Sequence, residues 1–192
     1  FKPDYFYCGQ ALPQERRADI GYIVDATAWK GEENTYPAFN YQQFMELHQS
    51  QAPVKFLFIP YMALTEEATA CLRQHPEVVV IAQSVHPNRL GELRGLVHQM
   101  MVQGLENPVV FFQFYQEDLQ IKAAADMGAL IFDGFCDGIL IYNHGESITD
   151  IKIDETAFGI LQAGRIRTSK TEYISCPGCG RTLYNLESTI AR

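Results

Sequence analysis

Cys176 and Cys179 stand either side of a Pro177-Gly178 corner in TEYISCPGCGRTLYNL, residues 171–186. The Pro-Gly pair bends the backbone so that both sulfurs point the same way. Leu183, Leu186 and Ile190 follow at helical spacing, which predicts a helix whose partial positive N-terminus lowers a nearby thiolate pKa. Such a corner serves three chemistries: half of a zinc site, a disulfide redox pair, or part of the ligand set of an iron–sulfur cluster. A zinc ribbon needs a second Cys pair or a Cys/His pair about fifteen to twenty residues away, and neither direction supplies one. A thioredoxin-type pair sits near the front of a sheet with chain continuing beyond it, whereas thirteen residues follow Cys179. Spacing alone leaves the three chemistries open; as a metal site, the pair is unfinished.

The remaining cysteines are Cys8, Cys71 and Cys136. An odd number of cysteines at irregular spacing, in a chain of this size, argues for a reducing compartment, cytosolic or organelle-stromal. The net charge of -8 comes with no basic stripe, which speaks against nucleic acid, since phosphate binding needs clustered Lys and Arg. No run of apolar residues approaches the length of a membrane span, and no signal peptide is recognisable. The glycines never fall as a phosphate-binding loop after a strand.

Those residues must be positioned by a body of alternating strands and helices. With 192 residues, 47% hydrophobic and 20% charged, the chain suits one soluble domain with a sizeable core, or a domain and a tail. Short apolar runs predict strands at Tyr5–Cys8, Ile20–Val24, Val54–Ile59, Glu77–Ala82, from Val109 onward, and at Gly138–Tyr142. Between them lie predicted helices: one capped by Asn40 and running to Leu47, and one capped by Thr65. A third opens at Pro87 and stops near Gly104, a fourth spans about Asp118 to Phe132, and a fifth about Asp154 to Gly164. Wholly apolar strands alternating with amphipathic helices indicate an α/β fold with a parallel sheet. Five or six such units are fewer than the eight of a closed barrel, so a partial or TIM-barrel-like domain is expected over residues 1–168, with a tail over 169–192.

Catalysis on this architecture draws on polar groups at the C-terminal strand ends. Asp25, Gln83, His86, Gln113, Tyr115, Asn143 and His144 occupy those places. His86 and His144 lie just past strand ends, where a functional role is more plausible than for the other histidines. His48, His75 and His98 fall in or at the ends of predicted helices with no partner at ligand spacing, and read as surface or helix-end residues. Trp29, Tyr36 and Phe39 read as an aromatic loop over a barrel end. Asp133 and Asp137, flanking Gly134, read as a turn between helix and strand.

The stretch ILQAGRIRTSKTEYISCPGCGRTLYNL resembles the junction into the iron–sulfur domain of the 4-hydroxy-3-methylbut-2-enyl diphosphate synthase family. The likeness extends from about Ala125 to Leu186, and SCPGCGRT is its specific core. The resemblance implies a four-iron, four-sulfur cluster held by three cysteines and a glutamate, with Cys176 and Cys179 as the first two ligands. The others would lie past Arg192, so the chain resembles an excised piece, expected to lack both cluster and activity by itself. Arg181 would place charge near the cluster or form a surface ion pair. Ferredoxin or flavodoxin is the implied electron donor, and the implied reaction is the reductive conversion of 2-C-methyl-D-erythritol 2,4-cyclodiphosphate to 4-hydroxy-3-methylbut-2-enyl diphosphate.

DGILIYNH, residues 137–144, is similar to the family's DTIRVSLT strand, whose Arg and Ser hold the substrate's diphosphate. Leu140 and Tyr142 stand at those two positions here. Residues 1–168 therefore resemble the extra domain that larger, three-domain members carry between catalytic barrel and iron–sulfur domain, with residues 169–192 beginning the latter. That domain is expected to act as a spacer, in a bacterial cytoplasm or a plastid stroma. From the residues alone, a free-standing α/β binding module with a zinc or redox tail stays open beside it.

Overall fold

The computed structural model describes residues 2–142, 148–172, 185 and 188. Seven strands form one sheet: β1 (Tyr5–Tyr7), β2 (Gly21–Asp25), β3 (Thr35–Asn40), β4 (Lys55–Pro60), β5 (Val78–Gln83), β6 (Val109–Phe114) and β7 (Gly138–Tyr142). Every strand pairs in parallel with its neighbour in sequence, so the order is β1-β2-β3-β4-β5-β6-β7. Four helices, α1 (Glu66–Gln74), α2 (Arg89–Val102), α3 (Leu119–Phe132) and α4 (Asp150–Ala163), follow the later strands. The result is a curled half-barrel, the α/β architecture expected from the alternation.

Alternation along the strands divides the core in two. One face packs Leu57, Ile59, Val80 and Phe111 against Leu72, Leu93, Leu96 and Met127 of the helices. The other, concave face packs Ile23, Ala38, Phe56 and Ile81 with Tyr7, Phe58, Phe112 and Leu140. Aromatic rings fill the concavity: Tyr7 lies 5.3 Å from Phe58, Phe58 5.7 Å from Phe112, and Phe112 6.4 Å from Tyr142. Tyr142 returns to Tyr7 at 6.4 Å, closing the circuit across the gap between β1 and β7. A cavity of about 550 Å³ remains along that gap, walled by both edge strands and α4.

Helix boundaries follow their caps. The Thr65 side chain accepts from Ala68 N at 3.2 Å to start α1. Asn40 caps the segment Tyr41–Gln49 in a reciprocal box with Gln43, as expected, but that segment is a 3₁₀ helix. Leu93, Leu96, Val97 and Met100 are the buried stripe of α2, while Met101 is 60% exposed. α4 starts four residues earlier than predicted, because Thr149 accepts from Lys152 N at 3.3 Å and supplies the cap.

The larger departure is β3. Tyr36 and Phe39 belong to a central strand rather than an aromatic loop: Tyr36 faces the concavity, and Phe39 is buried beneath the helices. A proline within a run argues against a central strand. Here the ladder to β4 begins at Ala38, one residue past Pro37, so the absent N–H leaves no bond unmade. The strand count is accordingly seven, with no helix between β1 and β2 or between β2 and β3.

Candidate functional site

The concave face is where a barrel of this kind would hold a substrate. Reading inward positions through the strand registers gives Tyr5 and Tyr7, Gly21, Ile23 and Asp25, Tyr36, Ala38 and Asn40, then Phe56, Phe58 and Pro60. Val79, Ile81 and Gln83, Val110, Phe112 and Phe114, and Gly138, Leu140 and Tyr142 complete the face. Among the described residues no strand points a Lys or Arg inward. The charge at the mouth is the Asp25 carboxylate, which accepts from Tyr7 Oη at 2.7 Å. Burial, reinforced by that carboxylate, pushes the Tyr7 phenol well above its ordinary range, so it stays a neutral donor.

The other strand-end candidates engage one another. Arg89, at the start of α2, donates to Gln113 Oε1 at 3.2 Å and lies 3.8 Å from Asp126 of α3. Tyr115 Oη donates to Asp126 at 3.0 Å, and burial followed by the Asp126 charge raises its pKa strongly. This group faces the helices rather than the concavity. Its one cation is already shared between a carboxylate and an amide, and Gln113 Nε2 is buried without a hydrogen-bond partner among the described residues. His86 is exposed, its Nδ1 accepting from Asn88 N at 3.0 Å in the turn before α2. Asn143 and His144 lie outside the described residues, as do Cys176, Cys179 and Arg181.

Asp133 and Asp137 form the turn expected of them. Asp133 takes a two-pronged pair from Arg94 at 2.6 and 3.1 Å. Asp137 accepts from Val109 N at 2.8 Å and so satisfies the start of β6.

At the opposite, N-terminal end of the sheet the structure brings together residues whose spacing promised nothing. His48 Nδ1 and His75 Nε2 are 2.7 Å apart, and the Cys71 sulfur lies 3.8 Å from His48 Nε2. His75 Nδ1 is 2.8 Å from Glu77 Oε1, which also takes Lys55 Nζ at 2.7 Å. The expectation that His48 and His75 lack ligand partners is therefore corrected. Cys71 on α1 and His75 at its C-cap are four apart, a signal present in CLRQH; His48 arrives from the 3₁₀ helix, which no spacing rule reveals. His98 remains an exposed helix residue.

Exit from the half-barrel is also organised. Gln162 Oε1, near the end of α4, accepts from Ser169 N at 3.0 Å and Lys170 N at 3.1 Å, while its Nε2 donates to Lys170 O at 3.1 Å. Arg167 pairs with Asp4 and donates to Lys2 O at 3.4 Å. Chain entry and chain exit are thus tied side by side, immediately before the CPGC stretch.

No protein-family model matches the chain. It is 69% identical over 197 residues to a Phocaeicola vulgatus protein named 4-hydroxy-3-methylbut-2-en-1-yl diphosphate synthase (flavodoxin), an alignment covering 100% of this chain and 32% of that protein. A Bacteroides fragilis protein of the same name is 65% identical over 196 residues, with 100% and 31% covered. A chloroplastic Oryza sativa relative, named with ferredoxin in place of flavodoxin, is 37% identical over 109 residues, 54% of this chain and 14% of its own. The chain spans about a third of the length of the curated relatives it matches along its whole extent.

Proposed function

The chain belongs to the 4-hydroxy-3-methylbut-2-en-1-yl diphosphate synthase family as the counterpart of about a third of its members' length, and from that premise we propose that it is the noncatalytic α/β segment of such an enzyme together with the opening of its iron–sulfur domain. The division falls near residue 168. The enzyme of which it forms part reductively converts 2-C-methyl-D-erythritol 2,4-cyclodiphosphate to 4-hydroxy-3-methylbut-2-enyl diphosphate, in the cytoplasm, with flavodoxin or ferredoxin as electron donor.

The observation that carries this reading is the concave face. A diphosphate is held by charge-assisted donors, and the described inward positions offer aromatic rings, aliphatic groups, the neutral amides of Asn40 and Gln83 and a carboxylate, with no Lys or Arg. Leu140 and Tyr142 sit on that face at the two places where the resemblance puts Arg and Ser. An aliphatic side chain cannot neutralise a phosphate, and Asp25 at the mouth repels one.

The spacer role draws support from the tethered junction. An inserted domain needs its two chain ends close together, which the Arg167 bonds to Asp4 and Lys2 provide. Gln162 then fixes the direction in which residue 171 departs.

Cys176 and Cys179 are the residues assigned to hold a four-iron, four-sulfur cluster. Their donor chemistry fits: thiolates are the ligands such clusters take. Two of the body's other cysteines are engaged elsewhere: Cys8 and Cys136 hydrogen-bond the Phe6 and Gly138 carbonyls, and burial pushes the Cys136 thiol up to about 11. A bound cluster supplies one-electron transfer; the residues of this chain supply two thiolates and the scaffold that aims them.

Anaerobic reconstitution of the chain extended through the rest of the iron–sulfur domain tests the reading. Four irons per chain, lost in Cys176→Ser, are expected. No iron, with zinc bound in a way that Cys176→Ser abolishes, would overturn it and favour the zinc-tailed binding module.

A further inference from the structure

We propose that His48, Cys71 and His75 form a zinc site, separate from the CPGC pair, that fastens the 3₁₀ helix Tyr41–Gln49 to α1. One ligand atom from each residue falls within 4.8 Å of the others. Two imidazoles and one thiol are a borderline-soft donor set, which selects zinc over magnesium or calcium. Three protein ligands leave a fourth tetrahedral position, and the exposed side of His48 opens that position to solvent.

The surrounding groups are arranged as a metal-bound histidine requires. A ligating imidazole normally gives its other N–H to a carboxylate, which fixes its tautomer and raises its basicity. Glu77 Oε1 is placed for this 2.8 Å from His75 Nδ1, leaving Nε2 as the nitrogen turned toward His48. Glu77 is in turn held by Lys55, whose side chain is only 4% exposed and also donates to Leu47 O at 3.0 Å. Lys55 therefore grips both the carboxylate behind His75 and the backbone next to His48. Cys71 is buried with its sulfur 3.4 Å from Phe44 O.

Without metal, the facing nitrogens of His48 and His75 share a proton at 2.7 Å. Two nitrogens on one tetrahedral zinc stand about 3.3 Å apart. A zinc ion replacing that proton thus requires the two nitrogens to part by roughly half an ångström and the Cys71 sulfur, which lies 3.8 Å from His48 Nε2, to close on the same ion, movements that the exposed His48 side chain can accommodate. Cys71 loses its thiol proton on coordination, so binding releases protons to solvent and strengthens as pH rises.

The test uses the full chain carrying Cys176→Ser and Cys179→Ser, titrated with Co2+ alone and then with Zn2+ under reducing conditions. One Co2+ per chain is expected, with a thiolate-to-cobalt charge-transfer band that one Zn2+ abolishes. His48→Gln, at an exposed position that does not threaten folding, weakens binding at least about tenfold, and Glu77→Gln weakens it about 10–100-fold. His98→Gln leaves affinity unchanged. Absence of the thiolate band in the double-serine chain overturns the assignment, as does a band of unchanged affinity in His48→Gln. Circular dichroism of each variant confirms the fold, so a Cys71→Ser chain that fails to fold does not decide the result.

Discussion

Neutralising Glu77 should cost stability only where its carboxylate is charged in the unfolded chain. Burial alone would raise its pKa, but hydrogen bonds from Lys55 and His75 outweigh that and hold it at about 2, below the ordinary 4.5. A folded pKa below the unfolded one means that the stabilisation is complete above about pH 4.5 and fades as pH falls toward 2. The full difference of roughly 2.5 units corresponds to about 3.4 kcal/mol. Because the side chain is 28% exposed, solvent screening reduces the expected effect to about 1–2 kcal/mol. Urea unfolding of the native chain and Glu77→Gln, in buffer containing a chelator and followed by far-ultraviolet circular dichroism from pH 7 to pH 3, reads this directly. The native chain should be more stable by that margin from pH 7 down to about 5, with the gap closing below. A gap that stays constant to pH 3, or is absent at pH 7, refutes the assignment of Lys55 and His75 as the groups that hold the carboxylate charged.

Leu57→Ala, at a fully buried β4 position facing the helices, should lower unfolding free energy by about 2–5 kcal/mol, measured as a shift in urea midpoint. Alkylation at pH 8 should leave Cys136 unmodified in the folded chain, because burial raises its pKa to about 11, while urea exposes it; peptide mass mapping reports the difference. Gln162→Ala should leave thermal stability of the half-barrel nearly unchanged but raise protease cleavage around residue 170, since it removes the bonds anchoring Ser169 and Lys170.

Much of the architecture was legible because its signals are local. Apolar runs such as VKFLFI and VVVIA can only be strands buried on both faces, and Thr65 and Asn40 announce their helices through capping chemistry. β3 was illegible for an equally physical reason: Pro37 reads as a strand breaker unless the register of the neighbouring ladder is known. The lack of Lys and Arg on the described concave face was foreshadowed by Leu140 and Tyr142 within one strand, but its extent depends on registers across seven strands. The His48–Cys71–His75 group shows the limit most clearly. Two of its three residues, Cys71 on α1 and His75 at its C-cap, are four apart in the sequence; the third comes from a different element, and Lys55 and Glu77 join only because β4 and β5 are adjacent.

The noncatalytic role proposed for this half-barrel requires that it not grip a diphosphate. Calorimetric titration of 2-C-methyl-D-erythritol 2,4-cyclodiphosphate into the chain, at low ionic strength where charge attraction is strongest, tests it most directly. No saturable heat is predicted at concentrations up to about 1 mM, the range of the weakest specific complexes. A saturable isotherm that Gln83→Ala weakens would contradict the claim and place a working anion site on the concave face.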